Sequence, residues 1–258
     1  MDYPNTVIHS DARIAPGVTI GPFTTIAGNV EIGEGTQIGS NVTILDGARI
    51  GANCKIFPGA VIAGVPQDLK FKGEETLAII GDNTTLRECV TVNRGTASKG
   101  QTVVGNNCLI MAYSHVAHDC TLGNNIIISN ATQLAGEVII DDFAVIGGGT
   151  LVHQFSRLGA HIMVQGGALI NKDIPPFVMA AREPISYTGV NSVGLRRRGF
   201  TSEQVDEILS IYRDLYMSKL NVTEALAKIE AEHPVTPIRN SIIDFIRSSE
   251  RGILRCGV

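Results

Sequence analysis

The segment 113–120 has the composition of a proton-transfer site, because it holds His115, His118 and Asp119 within five positions. A neutral imidazole can accept a proton near pH 7, and an adjacent carboxylate can hold one ring tautomer and support the imidazolium. Two other interpretations stay open. The histidines could lie on a solvated surface, or they could bind zinc together with a residue of a neighbouring chain. No third zinc ligand is evident, so we predict no metal site.

The residues that must position this segment repeat with a period of six. Isoleucine occupies every sixth position from Ile8 to Ile62, and aliphatic residues keep the period from Ile80 to Val92 and from Val104 to Ile170. Neither the 3.6 period of a helix nor the 2.0 period of a strand produces this pattern. A hexapeptide repeat is the signature of a parallel β-helix, in which each hexad supplies one short strand and one corner of Gly, Asn or Asp. We therefore expect about eight triangular coils of 18 residues.

The 18-residue coil predicts which outward side chains stack. Gly136 and Gln154 fall one and two coils above His118, and Glu137 falls above Asp119. A glycine next to the base can present an unhindered N–H to a developing oxyanion. One outer face, spanning two coils or roughly 10 Å, should then gather His118, Asp119, Gly136, Glu137, His153 and Gln154.

Composition bounds the class of protein. The chain has 258 residues, 44% of them hydrophobic, and a net charge of −4, which gives no case for nucleic-acid binding. The five cysteines form no CxxC pair, and we interpret the four that fall inside hexads as structural. The sequence has neither a signal peptide nor an apolar run of membrane-spanning length, so we expect a cytoplasmic protein without an integral membrane segment.

The repeat also predicts the domain organisation. We expect a β-helix over residues 1–175, with loop insertions near 65–77 and 94–102. Two adjacent prolines end the repeat, and an irregular connector should follow over 176–200. Apolar residues at helical spacing then predict a small α-helical domain over 201–258.

Five blocks of sequence resemble, in the same order, one known family. The blocks are Gln67–Lys70, Arg87–Thr96, His115–Cys120, Val152–Phe155 and Gly194–Phe200. Together they resemble the acyl-carrier-protein–UDP-N-acetylglucosamine O-acyltransferases, which catalyse the first step of lipid A biosynthesis. The resemblance covers essentially the whole chain. It implies that the β-helix is left-handed, that three chains form a homotrimer with sites between neighbours, and that no cofactor is needed.

The resemblance also implies a reaction and the residues that carry it. A 3-hydroxyacyl group would pass from acyl carrier protein to the 3-hydroxyl of UDP-N-acetylglucosamine. His118 matches the family's general base, Asp119 would orient it, and the N–H of Gly136 would stabilise the oxyanion. Because transfer is direct, Cys120 is interpreted as structural.

Further matches concern substrate recognition. Arg and Lys suit a diphosphate, whereas Asp and His suit sugar hydroxyls. Gly166 matches the position that sets acyl length, and its missing side chain favours a long chain of ~14 carbons or more, although Gln165 beside it is larger than expected. The arginine run at 196–198 is also compatible with a basic face for the acidic carrier protein. The positions that match nucleotide-sugar contacts are Gln67, Asp68, Lys70, His115, His153, Gln154, Asn191, Arg197 and Arg198.

The chain departs from the family at Glu137, where histidine is common, and at Pro184 and Val193. A carboxylate at Glu137 could increase the basicity of His118.

The alternative functions are the N-acyltransferase of the same pathway, a γ-carbonic-anhydrase-like zinc enzyme, and a hexapeptide protein with a structural role. The N-acyltransferase typically carries an extra N-terminal domain, whereas this repeat begins by residue 8. The sequence leaves open the acyl length, the carrier docking surface and a diamino sugar as substrate.

Overall fold

The computed structural model describes residues 3–257. Its larger part is a three-sided rod built from 25 short strands, each with the inward aliphatic residue of one hexad. In chain order the strands are β1 Val7–Ile8, β2 Arg13–Ile14, β3 Thr19–Ile20, β4 Thr25–Ile26, β5 Glu31–Ile32, β6 Gln37–Ile38, β7 Thr43–Ile44, β8 Ala48–Ile50, β9 Lys55–Ile56, β10 Val61–Gly64, β11 Leu77–Ile80, β12 Thr85–Leu86, β13 Thr91–Asn93, β14 Gln101–Val104, β15 Leu109–Ile110, β16 His115–Val116, β17 Thr121–Leu122, β18 Ile127–Ile128, β19 Gln133–Leu134, β20 Ile139–Ile140, β21 Val145–Ile146, β22 Leu151–Val152, β23 Arg157–Leu158, β24 Met163–Val164 and β25 Leu169–Ile170.

Every third strand pairs in parallel, which gives the rod three sheets. Sheet A runs from β1 through β4 to β25, sheet B from β2 to β23, and sheet C from β3 to β24. His115 pairs with Gln133, and Gln133 with Leu151, so the register repeats every 18 residues. Successive coils therefore place equivalent residues directly above one another. The predicted left-handed parallel β-helix is confirmed.

The interior of the rod is filled by stacked aliphatic side chains. Ile62, Val92, Val116 and Leu134 lie one above the other and are fully buried. Each such side chain contributes about 1.5–3 kcal/mol through burial. Because the interior is packed, chemistry must take place on the outer faces and edges of the rod.

The corners that lead from sheet A to sheet B form one long edge, which we call the A–B edge. The corresponding corners on the other sides are the B–C edge and the C–A edge. Both insertions leave the rod at the A–B edge, since residues 65–76 follow β10 and residues 94–100 follow β13. Val61 pairs with Thr91, and Thr91 with His115, so these two coils take 30 and 24 residues instead of 18. The insertions thus stand directly below the corner that carries His118.

Beyond the rod, the connector was predicted to be irregular, and this prediction was wrong. Strands β26 (Val178–Ala181) and β27 (Ser186–Val190) form an antiparallel hairpin, and β26 also pairs with β24 to extend sheet C. Backbone pairing with the top of sheet C orders a segment in which the sequence shows no periodicity. The short helix α1 (Ser192–Arg197) follows.

Three further helices complete the chain: α2 (Ser202–Met217), α3 (Val222–Glu232) and α4 (Pro237–Arg247). Thr201 and Gln204 form a capping box that satisfies backbone donors at the start of α2. The buried hydroxyl of Tyr212 donates to the carbonyl of Pro176, 2.6 Å away, and so fastens α2 to the end of the rod. Within residues 3–257, no helix has both the length and the apolar character needed to cross a bilayer.

Candidate active site

His118 and Asp119 occupy the corner that follows β16, at the middle of the A–B edge. Asp119 adopts a left-handed backbone conformation with φ of 60°, which aspartate tolerates better than most residues. This corner turns its carboxylate back toward the preceding ring, and Nδ1 of His118 lies 2.8 Å from Oδ2 of Asp119. With Nδ1 engaged by the carboxylate, Nε2 is the ring nitrogen left to accept a proton.

The carboxylate of Asp119 is completely buried, and the 94–100 insertion supplies its other partners. Oδ1 accepts the backbone N–H groups of Thr96 (3.0 Å) and Lys99 (3.2 Å), while Oδ2 accepts the hydroxyl of Thr96 (2.6 Å). Burial works to raise the pKa of Asp119, but the hydrogen bonds from Thr96, His118 and Lys99 outweigh it and lower that pKa. Asp119 is therefore an ionised acceptor held in one orientation.

Gly136 lies directly against the imidazole of His118, one coil above it. A Cβ at this position would come within 2.6 Å of Cε1 and 2.7 Å of Nε2, distances that no side chain can occupy. Among residues 3–257, no acceptor binds the N–H of Gly136. The glycine thus leaves room for the ring and keeps an unused backbone donor beside its Nε2.

A cavity of about 510 Å³ opens over this corner. The 65–76 insertion bends across it, and the side chain of Asp68 accepts the N–H of Lys70 at 2.9 Å within a tight turn. The cavity brings polar side chains of the insertion together with the predicted base. Its lining consists of Gln67, Asp68, Leu69, Lys70, His118, Gly136, Glu137, Gln154 and Phe155.

Two of the predicted histidines flank this cavity without lining it. Nδ1 of His115 lies 2.7 Å from the hydroxyl of Thr91 on the outer face of sheet A. Burial, and then the charge on His118, lower the pKa of His115. His153 is exposed, and its Nδ1 lies 3.0 Å from the carbonyl oxygen of Gln154.

Asn191 and Arg198 lie at the B–C edge, away from His118. Asn191 caps α1 through its side-chain oxygen, and its Nδ2 donates to the carbonyl of His161. The guanidinium of Arg198 lies over the ring of Phe143, 5.5 Å from its centroid, and burial lowers its pKa. Nη1 of Arg198 is buried without a hydrogen-bond partner in the described part of the chain. Arg197, at the end of α1, is exposed.

Gly166 lies on the third side of the rod, at the corner after β24 on the C–A edge. It is exposed, and a Cβ there would approach the carbonyl oxygen of Gly148 to 3.0 Å. One chain therefore holds the predicted base and most of the predicted nucleotide contacts at the A–B edge, Asn191 and Arg198 at the B–C edge, and the predicted acyl-length position at the C–A edge.

Comparison with known proteins decides the family. The family model for UDP-N-acetylglucosamine O-acyltransferase domain 2 matches residues 173–254, and the hexapeptide-repeat model matches residues 101–136. An acyl-[acyl-carrier-protein]–UDP-N-acetylglucosamine O-acyltransferase of Stenotrophomonas maltophilia is 44% identical over 98% of this chain and 97% of its own length. The chain belongs to the acyl-[acyl-carrier-protein]–UDP-N-acetylglucosamine O-acyltransferase family.

Solved structures agree with this membership. A UDP-N-acetylglucosamine acyltransferase from Bacteroides fragilis is 55% identical, covers 99% of this chain and 100% of its own, and superposes with a TM-score of 0.97. The acyltransferase from Francisella novicida is 42% identical, covers 99% of this chain and 94% of its own, and has a TM-score of 0.96. The acyltransferase from Arabidopsis is 31% identical, covers 99% of this chain and 100% of its own, and superposes with a TM-score of 0.88. The rod and the helical tail of this O-acyltransferase thus follow one architecture.

The departures from the family pattern fall beside the cavity and in the connector. Oε1 of Glu137 accepts the hydroxyl of Ser98 at 3.3 Å, and the backbone N–H of Glu137 donates to the carbonyl of His118 at 3.0 Å. Among residues 3–257, no hydrogen bond joins the carboxylate of Glu137 to the ring of His118. Pro184 lies in the β26–β27 turn, and Val193 is exposed on α1. Gln165 is bonded through its amide to the backbone of Arg182, which directs it along the hairpin.

Sequence reasoning missed four residues at this site. Thr96 and Lys99 hold Asp119, while Leu69 and Phe155 line the cavity. The available signal was the break in the hexad period at residues 94–100, one coil below the predicted base. Within residues 3–257, no three His, Cys, Asp or Glu side chains are grouped as a metal site requires.

Proposed function

We propose that this chain moves a 3-hydroxyacyl group from acyl carrier protein to the 3-hydroxyl of UDP-N-acetylglucosamine, the first step of lipid A biosynthesis, with His118 as general base. One observation carries the proposal. Nδ1 of His118 is bonded to the buried Asp119, while the ring lines a cavity that also contains Asp68 and Lys70. A base with a fixed tautomer beside groups that suit a sugar nucleotide fits attack by a hydroxyl.

The proposed reaction proceeds without a covalent enzyme intermediate. Nε2 of His118 takes the proton of the sugar 3-hydroxyl as that oxygen bonds to the thioester carbonyl carbon. The carbonyl electrons move onto oxygen, and the N–H of Gly136 stabilises the resulting oxyanion. When the C–S bond breaks, the thiolate of the carrier accepts the proton from the imidazolium. Asp119 stays ionised throughout and stabilises that imidazolium.

The nearest cysteine is unsuited to be a nucleophile. Cys120 is fully buried, its Sγ lies 3.2 Å from the carbonyl oxygen of Ala135, and burial raises the pKa of its thiol to about 12. The thiolate, which is the reactive form, is therefore scarce near pH 7. The proposal accordingly needs neither an enzyme nucleophile nor a cofactor.

The proposed assembly is a homotrimer, because the predicted substrate contacts lie on different edges of one rod. Exposed apolar side chains along the C-terminal coils support coverage by neighbours: Leu151 and Leu169 point outward from sheet A, and Met163 and Met179 from sheet C. In the trimer, Arg197 and Arg198 of one chain would reach the nucleotide held at the A–B edge of the next. The unpartnered Nη1 of Arg198 suits a phosphate oxygen.

The remaining proposed contacts follow from position. His115, His153 and Gln154 would bind the sugar nucleotide around the cavity, Asn191 would do so from the B–C edge of a neighbouring chain, and Gly166 would leave room for a long acyl chain. The proposed compartment is the cytoplasm, since all five cysteines are free and three of them are buried. Unpaired thiols are typical of a reducing environment.

A transfer assay with product analysis tests this function. The purified protein is incubated with UDP-N-acetylglucosamine and with 3-hydroxyacyl carrier proteins of graded chain length, and the products are identified by mass. We expect one O-linked acyl group on the sugar nucleotide, no acyl adduct on the protein, and unchanged transfer by Cys120→Ala. A diamino analogue of the sugar nucleotide, run in parallel, distinguishes the acceptor. The absence of product with every donor, or an acyl-enzyme adduct, would contradict the proposal.

A further inference from the structure

The 94–100 insertion wraps the carboxylate that supports the proposed base. We propose that the hydroxyl of Thr96 is a positioning group for acyl transfer, which holds Asp119 in the orientation that fixes His118. This inference rests on the proposed role of His118 and extends it to a residue 22 positions away in sequence. Neither composition nor period assigns Thr96 any role.

The hydrogen bonds of Asp119 leave its carboxylate no freedom to rotate. Oδ2 lies 2.6 Å from the hydroxyl oxygen of Thr96 and 2.8 Å from Nδ1 of His118, so one oxygen receives both donors. Oδ1 receives the N–H groups of Thr96 and Lys99. Thr96 is itself buried, and its Oγ1 also accepts the N–H of Ser98. Four donors therefore saturate the carboxylate, and Thr96 supplies two of them.

The backbone around Thr96 is fastened on both sides. The carbonyl of Gly95 accepts the hydroxyl of Thr76 at 2.6 Å, and the N–H of Gly95 donates to the carbonyl of Leu77. A Cβ on Gly95 would lie 2.2 Å from the backbone nitrogen of Gln101, so only glycine fits at this tight approach. The N–H of Gly100 then donates to the carbonyl of Thr96 at 2.7 Å. The insertion is thus a rigid support for the hydroxyl of Thr96.

The same insertion contacts the loop that lines the cavity. The guanidinium of Arg94 lies over the ring of Phe71, 5.3 Å from its centroid, and donates to the carbonyl of Asp46 at 3.1 Å. Thr76, which holds Gly95, ends the 65–76 insertion. The 65–76 insertion and the His118–Asp119 pair therefore share one support, which contacts Asp119 through Thr96 and Lys99.

The charged and titratable groups that face this pair come from four elements. Lys99 of the insertion donates from Nζ to the carbonyl of Asp119 at 3.1 Å. His115 of β16 interacts with the charge of His118. Cys120 follows Asp119, and the pKa of its thiol is lowered by the charge of Lys99 and raised by that of Asp119, although burial has the larger effect. The remaining groups, from the corner after β19 and from the 65–76 insertion, are Glu137, Asp68 and Lys70.

Loss of the Thr96 hydroxyl should change catalysis in a specific way. Its hydrogen bond helps to lower the pKa of Asp119, so its removal raises that pKa and brings protonation of the carboxylate closer to the working range. The acidic limb of the kcat/KM profile should then move to higher pH. Because the ring is less well held, kcat should fall about 10- to 100-fold. The KM for the sugar nucleotide should stay within about threefold, since Thr96 does not line the cavity.

The experiment compares Thr96→Val with Thr96→Ser and with Thr84→Val. Thr84 is an equally buried threonine whose hydroxyl donates to the carbonyl of Gly105 and accepts the N–H of Cys108, with no contact to Asp119. Each variant is measured for kcat, KM, the pH profile and thermal unfolding. Nitrogen NMR of ¹⁵N-histidine-labelled protein reports the tautomer of His118 at alkaline pH. Thr96→Ala repeats the test if the valine variant does not fold.

We expect the wild type, Thr96→Ser and Thr84→Val to show the Nδ1-protonated tautomer and similar acidic limbs. Thr96→Val should show mixed tautomers, a shifted limb and the lower kcat. If Thr96→Val matched Thr84→Val in its pH profile and in the tautomer of His118, the hydroxyl of Thr96 would have a structural role only. The inference would then be overturned. His118→Ala, assayed alongside, separates the two levels. If His118→Ala is active, the proposed role of His118 as general base is wrong. If His118→Ala is inactive but Thr96→Val behaves like the wild type, only the proposed role of Thr96 is wrong.

Discussion

The A–B edge carries a histidine close to a carboxylate at two heights, His9 with Asp11 at the first coil and His118 with Asp119 near the middle of the rod. Both rings also lie against a glycine of the coil above, Gly28 in the first case and Gly136 in the second. Even the adjoining cavities are comparable, at about 580 Å³ beside His9 and about 510 Å³ beside His118. Residue type and cavity size therefore do not distinguish the two sites, although the histidine and the carboxylate are two positions apart in the first pair and adjacent in the second.

Burial of the carboxylate does distinguish them. The side chains of His9 and Asp11 are 56% and 77% exposed and lie 3.7 Å apart, whereas those of His118 and Asp119 are 17% and 0% exposed and lie 2.8 Å apart. The difference arises from the 94–100 insertion, which covers Asp119 and has no counterpart at the first coil. An exposed pair is screened by water and salt and is weakly held, while a buried and fully bonded one is fixed. The rod supplies the positions, and the insertion fixes the one that we propose for proton transfer.

Among the variants that keep His118, the largest expected effect is that of removing the charge from Asp119. Asp119→Asn should lower kcat about 10²- to 10³-fold, because an amide cannot accept four donors or stabilise the imidazolium. Asp11→Asn should leave kcat within about twofold of the wild type, since its pair is solvated. Steady-state transfer rates measure both. Equal losses in the two variants would mean that burial is not what distinguishes the sites.

A methyl group on each glycine tests the packing of the rings. Gly136→Ala should displace the imidazole of His118 and lower kcat about 10- to 100-fold, because the ring is confined by its bond to Asp119. Gly28→Ala meets the ring of His9 at 2.9 Å, but this ring is exposed and should swing into solvent without loss of activity. A crystal structure of each variant would show the ring positions. An unmoved His118 ring in active Gly136→Ala would contradict the account.

His161 shows what burial does to a histidine that lacks a carboxylate partner. It stacks on Phe143 and Phe177, its Nδ1 has no hydrogen-bond partner in the described chain, and burial, aided by Arg198, lowers its pKa to about 4. Between that value and the unfolded value of 6.5, the unfolded chain binds more protons. Stability should therefore fall as the pH drops through this window, by on the order of 1–2 kcal/mol between pH 7 and pH 5.

His161→Phe should remove that part of the pH dependence, since it keeps the ring stack and cannot be protonated. Urea unfolding at pH 7 and pH 5 measures the difference, with His9→Phe as the exposed control. An unchanged pH dependence in His161→Phe would show that this histidine is not the group responsible.

The smallest expected effect concerns Glu137, whose carboxylate lies one coil above Asp119. That carboxylate accepts the hydroxyl of Ser98 and makes no hydrogen bond to the ring of His118 in the described part of the chain, so Glu137→Gln should leave kcat within about twofold of the wild type. Steady-state kinetics measure the difference. A loss as large as that of Asp119→Asn would show that the carboxylate of Glu137 takes part in the reaction.

The sequence predicts the rod and the stacking on its edge, for a clear physical reason. Strand pairing fixes the coil at 18 residues, so Gly136 and Gln154 must lie above His118 wherever the hexads are regular. The same regularity does not say which corner is functional, because both coils carry a histidine and a carboxylate at the A–B edge, with His9 one position after Ile8 and His118 two positions after Val116. His118 is predicted to be the general base because of the resemblance to the family and not because of the six-residue period.

The parts that escaped prediction are those where the period fails. Thr96 reaches Asp119 through a loop whose path depends on contacts with Thr76 and Leu77, and no local pattern encodes such contacts. The connector at 176–200 was predicted to be irregular, yet pairing with β24 makes it a hairpin. Arg198 and Gly166 lie on other edges of the same chain, so their relation to His118 depends on an assembly that one sequence does not display.

The most direct test of this account is the single-turnover rate of acyl transfer by His118→Ala and His9→Ala, measured with saturating carrier protein and sugar nucleotide. Both variants remove an imidazole from the same edge of the rod. We predict a loss of about 10²- to 10⁴-fold for His118→Ala and a rate within about twofold of the wild type for His9→Ala. Retention of the wild-type rate by His118→Ala would contradict the assignment of the buried pair as the site of proton transfer.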